Sequence, residues 1–169
     1  MDASVFLALS LACAPQVHAD TARALVSVES AFNPWALGVV GAALVHQPRH
    51  RAEAVATASA LQAGGWDFSV GLGQINVSNF KRLGLTLESA FEPCRNLAAM
   101  QAVLSECFDQ ARASATAPAA DQAALRRALS CYWSGSFVTG FSGGYVRKVL
   151  EAAGATGRSI STVQPKEKS

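Results

Sequence analysis

The chain has 169 residues, half of them hydrophobic, a length that suits one domain with a real core and leaves too little for a comfortable second one. Its net charge is only +2, with 15% of residues charged, which excludes the broad basic surface that nonspecific nucleic-acid binding requires. No apolar run reaches the ~18 to 20 residues that cross a bilayer, so neither a membrane span nor a nucleic-acid partner is expected.

The first twenty residues admit two readings. Val5 to Ala12 has the apolar character of a secretory leader, and Val17-His18-Ala19 resembles a small-residue cleavage site, but no Lys or Arg precedes the run. Asp2 is placed to cap a helix over Ala3 to Cys13 that Pro15 breaks, and an ordinary first helix is the expectation adopted. A second helix is predicted from an N-cap at Asp20 through Thr21 to Ala31 or Phe32, stopped by Asn33-Pro34. On it Leu25, Val28 and Phe32 fall at i, i+3 and i+7, and Glu29 borders that apolar face. A carboxyl held among apolar groups is disfavoured as an anion, so its pKa rises toward the range useful for donating a proton at neutral pH. A solvated helix-surface glutamate is the alternative this stretch leaves open by itself.

Trp35 to Arg51 reads as short extended segments and turns, and Ala52 to Ala63 as a structural helix with a Gly64-Gly65 stop. Trp66 to Leu72 alternates with period two, the pattern of a half-buried strand, and runs into Gly71-Leu72-Gly73-Gln74-Ile75-Asn76. Glycines two apart let a backbone approach another surface closely, and the amides of Gln74 and Asn76 suit hydroxyl and acetamido groups. A tight strand-to-helix turn is the equally open structural reading. No phosphate-loop pattern follows the glycines. Short helical turns are predicted over Asn79 to Leu83 and Thr86 to Ala90, then a central core helix from Arg95 to about Arg112 and a loop over Ala113 to Ala120. A helix from an Asp121 cap runs to Cys131, a glycine-rich turn spans Gly140 to Gly144, and Tyr145 opens the last helix. Residues 1–154 are expected to form the domain and 155–169 a mobile tail.

Cys13, Cys94, Cys107 and Cys131 include no CxxC pair and no histidine at zinc spacing, so neither a metal nor a cofactor is expected. On one unbroken helix Cys94 and Cys107 would lie about 20 Å apart, so any disulfide must pair one of them with another partner. His18, His46 and His50 are expected to be surface or capping residues, and Arg49 and Arg51 to be solvated. Trp35 and Trp66 are open between sugar stacking and packing.

Val28-Glu29-Ser30 with Phe32-Asn33-Pro34, then Gly71-Leu72-Gly73-Gln74-Ile75-Asn76, Asn96-Leu97, Tyr132-Trp133-Ser134-Gly135 and Gly144-Tyr145-Val146 occur in the order found in lysozyme-like lytic transglycosylases. Over roughly residues 3 to 152 the chain resembles the VirB1-type members, peptidoglycan-cleaving components of type IV secretion and conjugation systems. That resemblance implies an α+β, predominantly α-helical, lysozyme-like (SLT-type) domain with a small antiparallel β-hairpin or sheet. It implies peptidoglycan glycan strands as substrate, type IV secretion components as partners, and work in the periplasm or cell envelope. The implied reaction cleaves the β-1,4 bond between N-acetylmuramic acid and N-acetylglucosamine and closes a 1,6-anhydro ring.

Carried over, Glu29 is the sole acid/base, Gln74 and Asn76 lie in the groove, and Tyr132 faces Glu29. Ser30 belongs to the same motif but is expected to tighten the helix end, and Tyr145 is a second groove or packing tyrosine. Trp133 stands where many relatives have Asn, so a polar contact is replaced by stacking on a sugar face or by packing, and Gly38 lies near a position where many have Ser, a contact that is absent here or made by Ser69. A two-carboxylate hydrolase needs a second acid within ~5 to 10 Å, and Asp67 is the only candidate, which keeps lysozyme-type hydrolysis as an alternative. A non-catalytic assembly module of the secretion apparatus is the alternative from another functional class.

Overall fold

The computed structural model describes residues 1–114 and 121–157. Its centre is the long helix α6 (Pro93–Ala113), which begins two residues before the predicted Arg95. Proline is favoured in a first turn because its missing N–H has no intrahelical partner to lose. Leu97, Met100, Leu104 and Cys107 of α6 are buried at helical spacing. Around it pack α1 (Ala3–Cys13), where Asp2 accepts from the backbone of Ser4 and Val5 as the expected cap, and α7 (Asp121–Ser134). Next in the chain come α2 (Ala19–Ser30) and α3 (Arg51–Ala63), both capped by histidines: His18 Nδ1 accepts from the Asp20 N–H and His50 Nδ1 from the Glu53 N–H.

Strands β1 (Leu37–Val39), β2 (Phe68–Val70) and β3 (Ile75–Asn76) form an antiparallel sheet in the order β1-β2-β3. Leu37 faces Val70 across the first pair, and Val70 faces Ile75 across the second. The strand predicted to Leu72 ends at Val70 because Gly71 turns the chain at φ 78°. Short helices α4 (Phe80–Leu83) and α5 (Leu87–Ala90) follow, the latter with a Thr86–Ser89 capping box. The expected glycine-rich turn contains a short helix, α8 (Thr139–Ser142), held because Ser130 Oγ accepts from the Gly140 N–H and donates to the Ser136 carbonyl.

The last helix, α9 (Tyr145–Gly157), extends past the expected tail boundary at residue 155, and residues 158–169 lie outside the described residues, as does most of the loop predicted over 113–120. Disulfides Cys13–Cys94 and Cys107–Cys131 tie α6 to α1 and to α7, so each α6 cysteine finds its partner on another helix, as rise per residue requires. Among the described residues no helix is long and apolar enough to cross a membrane.

Candidate active site

Glu29 lies in the last turn of α2, on the stripe with Ala22, Leu25 and Val26, which are all buried. Those residues stand at i−7, i−4 and i−3 from it, so helix geometry draws the carboxylate onto the core-facing side. Leu25, Val28 and Phe32 do not share the single helical face predicted for them. The helix stops at Ser30, and Phe32 sits beyond it in the left-handed region at φ 61°, after Ala31 at φ 49°. Two such residues with β-carbons cost roughly 1–2 kcal/mol each. They are held by the Ala31 N–H on the Ser27 carbonyl, the Asn33 N–H on the Ser30 carbonyl, and Phe32 edge-on to Phe6 at 5.2 Å.

Burial raises the Glu29 carboxyl from 4.5 to about 7, and the Tyr145 hydroxyl, donating to Oε1, pulls it the other way. Tyr145 itself is buried at the start of α9, and its ionisation is pushed far up by burial and then by the Glu29 charge, so it remains a donor. Tyr132 of α7 is oriented differently. Its hydroxyl donates to the Gly73 carbonyl, and burial, then the charge of Glu29, hold it well above the ordinary phenol range. The tyrosine that bonds the carboxylate is therefore Tyr145, whereas the sequence motif points to Tyr132.

The glycine loop is wedged between α6 and α7. Asn96, buried in the first turns of α6, accepts from the Gly73 N–H at 2.7 Å and donates to the carbonyls of Val70 and Ala90 at 3.0 and 2.8 Å. A β-carbon at Gly71 would stand 2.2 Å from Asn96 Nδ2, and one at Gly73 would stand 2.9 Å from the Met100 side chain. Both glycines are required by this close approach. The loop sets Gln74 at φ 48° and lets its Nε2 donate to the carbonyls of Ala36 and Gly71.

These parts border one open cleft of about 570 Å³. Glu29, Gln74 and Tyr132 line it together with Trp133, Ser134 and Gly135. The lining also includes Gly38 to Val40 of the first strand region, with Asp67, Ser69, Asn76, Ser78 and Asn79. Of the residues expected at the site, Glu29, Gln74, Asn76 and Tyr132 border the cleft, and Tyr145 reaches it through Glu29. Ser30 does not line it; its hydroxyl turns back to the Val26 carbonyl at 3.2 Å. Asp67 accepts a 2.6 Å hydrogen bond from Asn76 Nδ2, which engages it with the cleft wall. Trp35 packs against the core and Trp66 is half exposed, and neither borders the cleft.

Asn96, quoted in the sequence only as part of a family motif, acts by holding the glycine loop, and Ser69, named there as a substitute for a serine near Gly38, lines the cleft. Asn96 carries a readable signal, a polar residue inside the apolar period of α6. No three His, Cys, Asp or Glu side chains are grouped as a metal site would need among the described residues. Chemically, the arrangement offers a carboxyl that changes charge near neutrality, a fixed phenol donor beside it, and amides and hydroxyls suited to a sugar chain.

Residues 6–150 match the family model described as the transglycosylase SLT domain. The chain is 45% identical over 163 residues to the type IV secretion system protein virB1 of Brucella suis biovar 1, covering 94% of this chain and 68% of the relative. The virB1 protein of Brucella abortus biovar 1 gives the same figures, 45% over 163 residues. Protein virB1 of Agrobacterium fabrum is 39% identical over 143 residues, which is 83% of this chain and 56% of that protein. No solved structure matches. With a matched span that takes in both walls of the cleft and the helix bearing Glu29, the chain belongs to the transglycosylase SLT domain family.

Proposed function

We propose that this protein is a peptidoglycan lytic transglycosylase that cuts the β-1,4 bond between N-acetylmuramic acid and N-acetylglucosamine, with Glu29 as its acid and base. The observation that carries the reading is the Glu29 carboxyl, raised by burial to about 7 in an open cleft of about 570 Å³, with the Tyr145 hydroxyl on Oε1. Protonated Glu29 gives its proton to the glycosidic oxygen as the bond from that oxygen to the muramyl anomeric carbon breaks. Positive charge develops at that carbon. The C6 hydroxyl of the same sugar then attacks it, and the Glu29 carboxylate takes the hydroxyl proton, which restores the acid. One glycosidic bond is exchanged for one 1,6-anhydro bond, and no water is consumed.

A single carboxyl suffices because the nucleophile is tethered to the carbon it attacks, so little entropy is lost in bringing them together. Gln74 and Asn76 orient the chain, and Tyr145 keeps the emerging carboxylate hydrogen-bonded. Asp67, a second carboxyl lining the same cleft as Glu29, is the feature that supports a hydrolytic second reading. The names of the relatives, type IV secretion system protein virB1 and protein virB1, support a role in opening the wall locally for such an apparatus. That work would take place in the periplasm or cell envelope.

Mass spectrometry of digested peptidoglycan tests the reaction. Anhydro ends are expected, and their loss in Glu29→Gln. Reducing ends would indicate hydrolysis, and no soluble products would indicate a scaffold.

A further inference from the structure

We propose that Trp133 is a substrate-contacting platform in this cleft, stacking on a pyranose ring with the indole face that Tyr145 leaves free. The inference rests on the reading of the cleft as a glycan site and adds to it a residue that the family motif does not predict, since many relatives carry Asn there.

Three observations carry it. The indole is stacked on Tyr145, with ring centroids 5.5 Å apart and planes inclined by only 10°, so one face is already occupied. It nevertheless remains 46% exposed and borders the cleft that holds Glu29. Its outer edge is also enclosed, because a β-carbon at Gly143 would stand 2.9 Å from Cη2. A ring held on one face and one edge loses little freedom when a ligand covers its remaining surface, which is the usual cost of recruiting a large side chain to a binding site.

The chemistry of the rest of the cleft lining identifies the ligand class. Asp67, Asn76, Ser78 and Asn79 offer carboxylate, amide and hydroxyl groups. A β-linked N-acetylhexosamine has its polar substituents around the rim of the ring and C–H groups on its faces. It can bond to such a wall by its rim while laying a face on an aromatic plane. Because the partner ring of Trp133 is Tyr145, whose hydroxyl bonds Glu29, the stacked sugar is one adjoining the bond that is cut.

The test uses the full chain in a Glu29→Gln background, which prevents turnover, and a soluble β-1,4-linked N-acetylglucosamine oligomer as probe. Trp133→Leu is expected to raise the Kd about tenfold and Trp133→Phe to restore most of the affinity. With Trp35→Phe and Trp66→Phe also present, the remaining indole emission should shift to the blue as the oligomer binds. An emission unchanged at saturation would overturn the proposal even if the leucine variant failed to fold. So would a Kd within about twofold of the parent's in a folded Trp133→Leu protein. In the active enzyme the same substitution should raise KM; a fall in kcat at constant KM would mean that Trp133 acts only by holding Tyr145. If the Glu29→Gln parent bound neither the oligomer nor peptidoglycan, the glycan reading itself would fail and this proposal with it.

Discussion

Replacing Glu29 by Gln should remove activity and at the same time stabilise the fold, by an amount that depends on pH. The folded chain raises this carboxyl from 4.5 to about 7, by burial against the opposing pull of Tyr145. Below the unfolded value the group is neutral in both states and imposes no penalty. Between 4.5 and about 7 the unfolded chain releases the proton first, so stability falls as pH rises. Above that window the full difference applies, ~3 kcal/mol at about 1.4 kcal/mol per pH unit. Glutamine is neutral throughout and keeps an oxygen able to accept from Tyr145. The variant should therefore match the parent near about pH 4 and exceed its stability by ~3 kcal/mol near about pH 8. For a domain of this size that corresponds to roughly 6 to 12 °C in Tm. Urea and thermal unfolding at both pH values measure it. Equal stability at the higher pH, or a less stable variant there, would mean that the carboxylate is hydrated in the native state and that burial does not set its acidity.

Three further outcomes follow from the same contacts. Tyr145→Phe removes the donor that favours the Glu29 carboxylate, so the Glu29 pKa should rise above about 7. The alkaline limb of the rate profile should then move up by about one pH unit with a lower kcat, and a limb that moves down would contradict the assignment. Asn96→Ala leaves the Gly73 N–H and the Val70 and Ala90 carbonyls without this partner. Urea unfolding should register a loss of ~3 kcal/mol or more, whereas a loss under ~1 kcal/mol would show the loop to be held by other means. Gly38→Ala brings a β-carbon to 2.7 Å from Gln74 Oε1, while Nε2 of the same amide is held by two carbonyls. The expected result is about a tenfold drop in kcat/KM with a stability loss under ~1 kcal/mol; unchanged steady-state kinetics would show that the Gln74 amide is free to move.

Much of the fold was legible because local rules and tertiary packing agree. Asp2 as a cap, the apolar period of α6 and the alternation around Phe68 each specify an element without reference to distant residues. The end of α2 was less legible. Ala31 and Phe32 adopt left-handed angles that their side chains disfavour, and local propensity gives no reason to expect that. Hydrogen bonding at the helix end and the Phe6 contact outweigh the local preference, and the buried stripe runs through Ala22, Leu25 and Val26, with Glu29 on the same side.

The sequence by itself determined the types of group available: one glutamate on a largely apolar helix, a glycine loop carrying two amides, and two tyrosines in separate helices. It also determined that Cys94 and Cys107 could not pair with each other, since rise per residue separates them. Only the tertiary structure decided which tyrosine reaches the carboxylate, which cysteine joins which, and that Trp133 lies flat on Tyr145 beside the cleft. Those choices depend on how α7 and α9 pack against α6 and α2, and their contacts span separations such as the 116 residues between Glu29 and Tyr145. Periodicity along one helix specifies the face that helix buries but not the height at which a neighbouring helix crosses it.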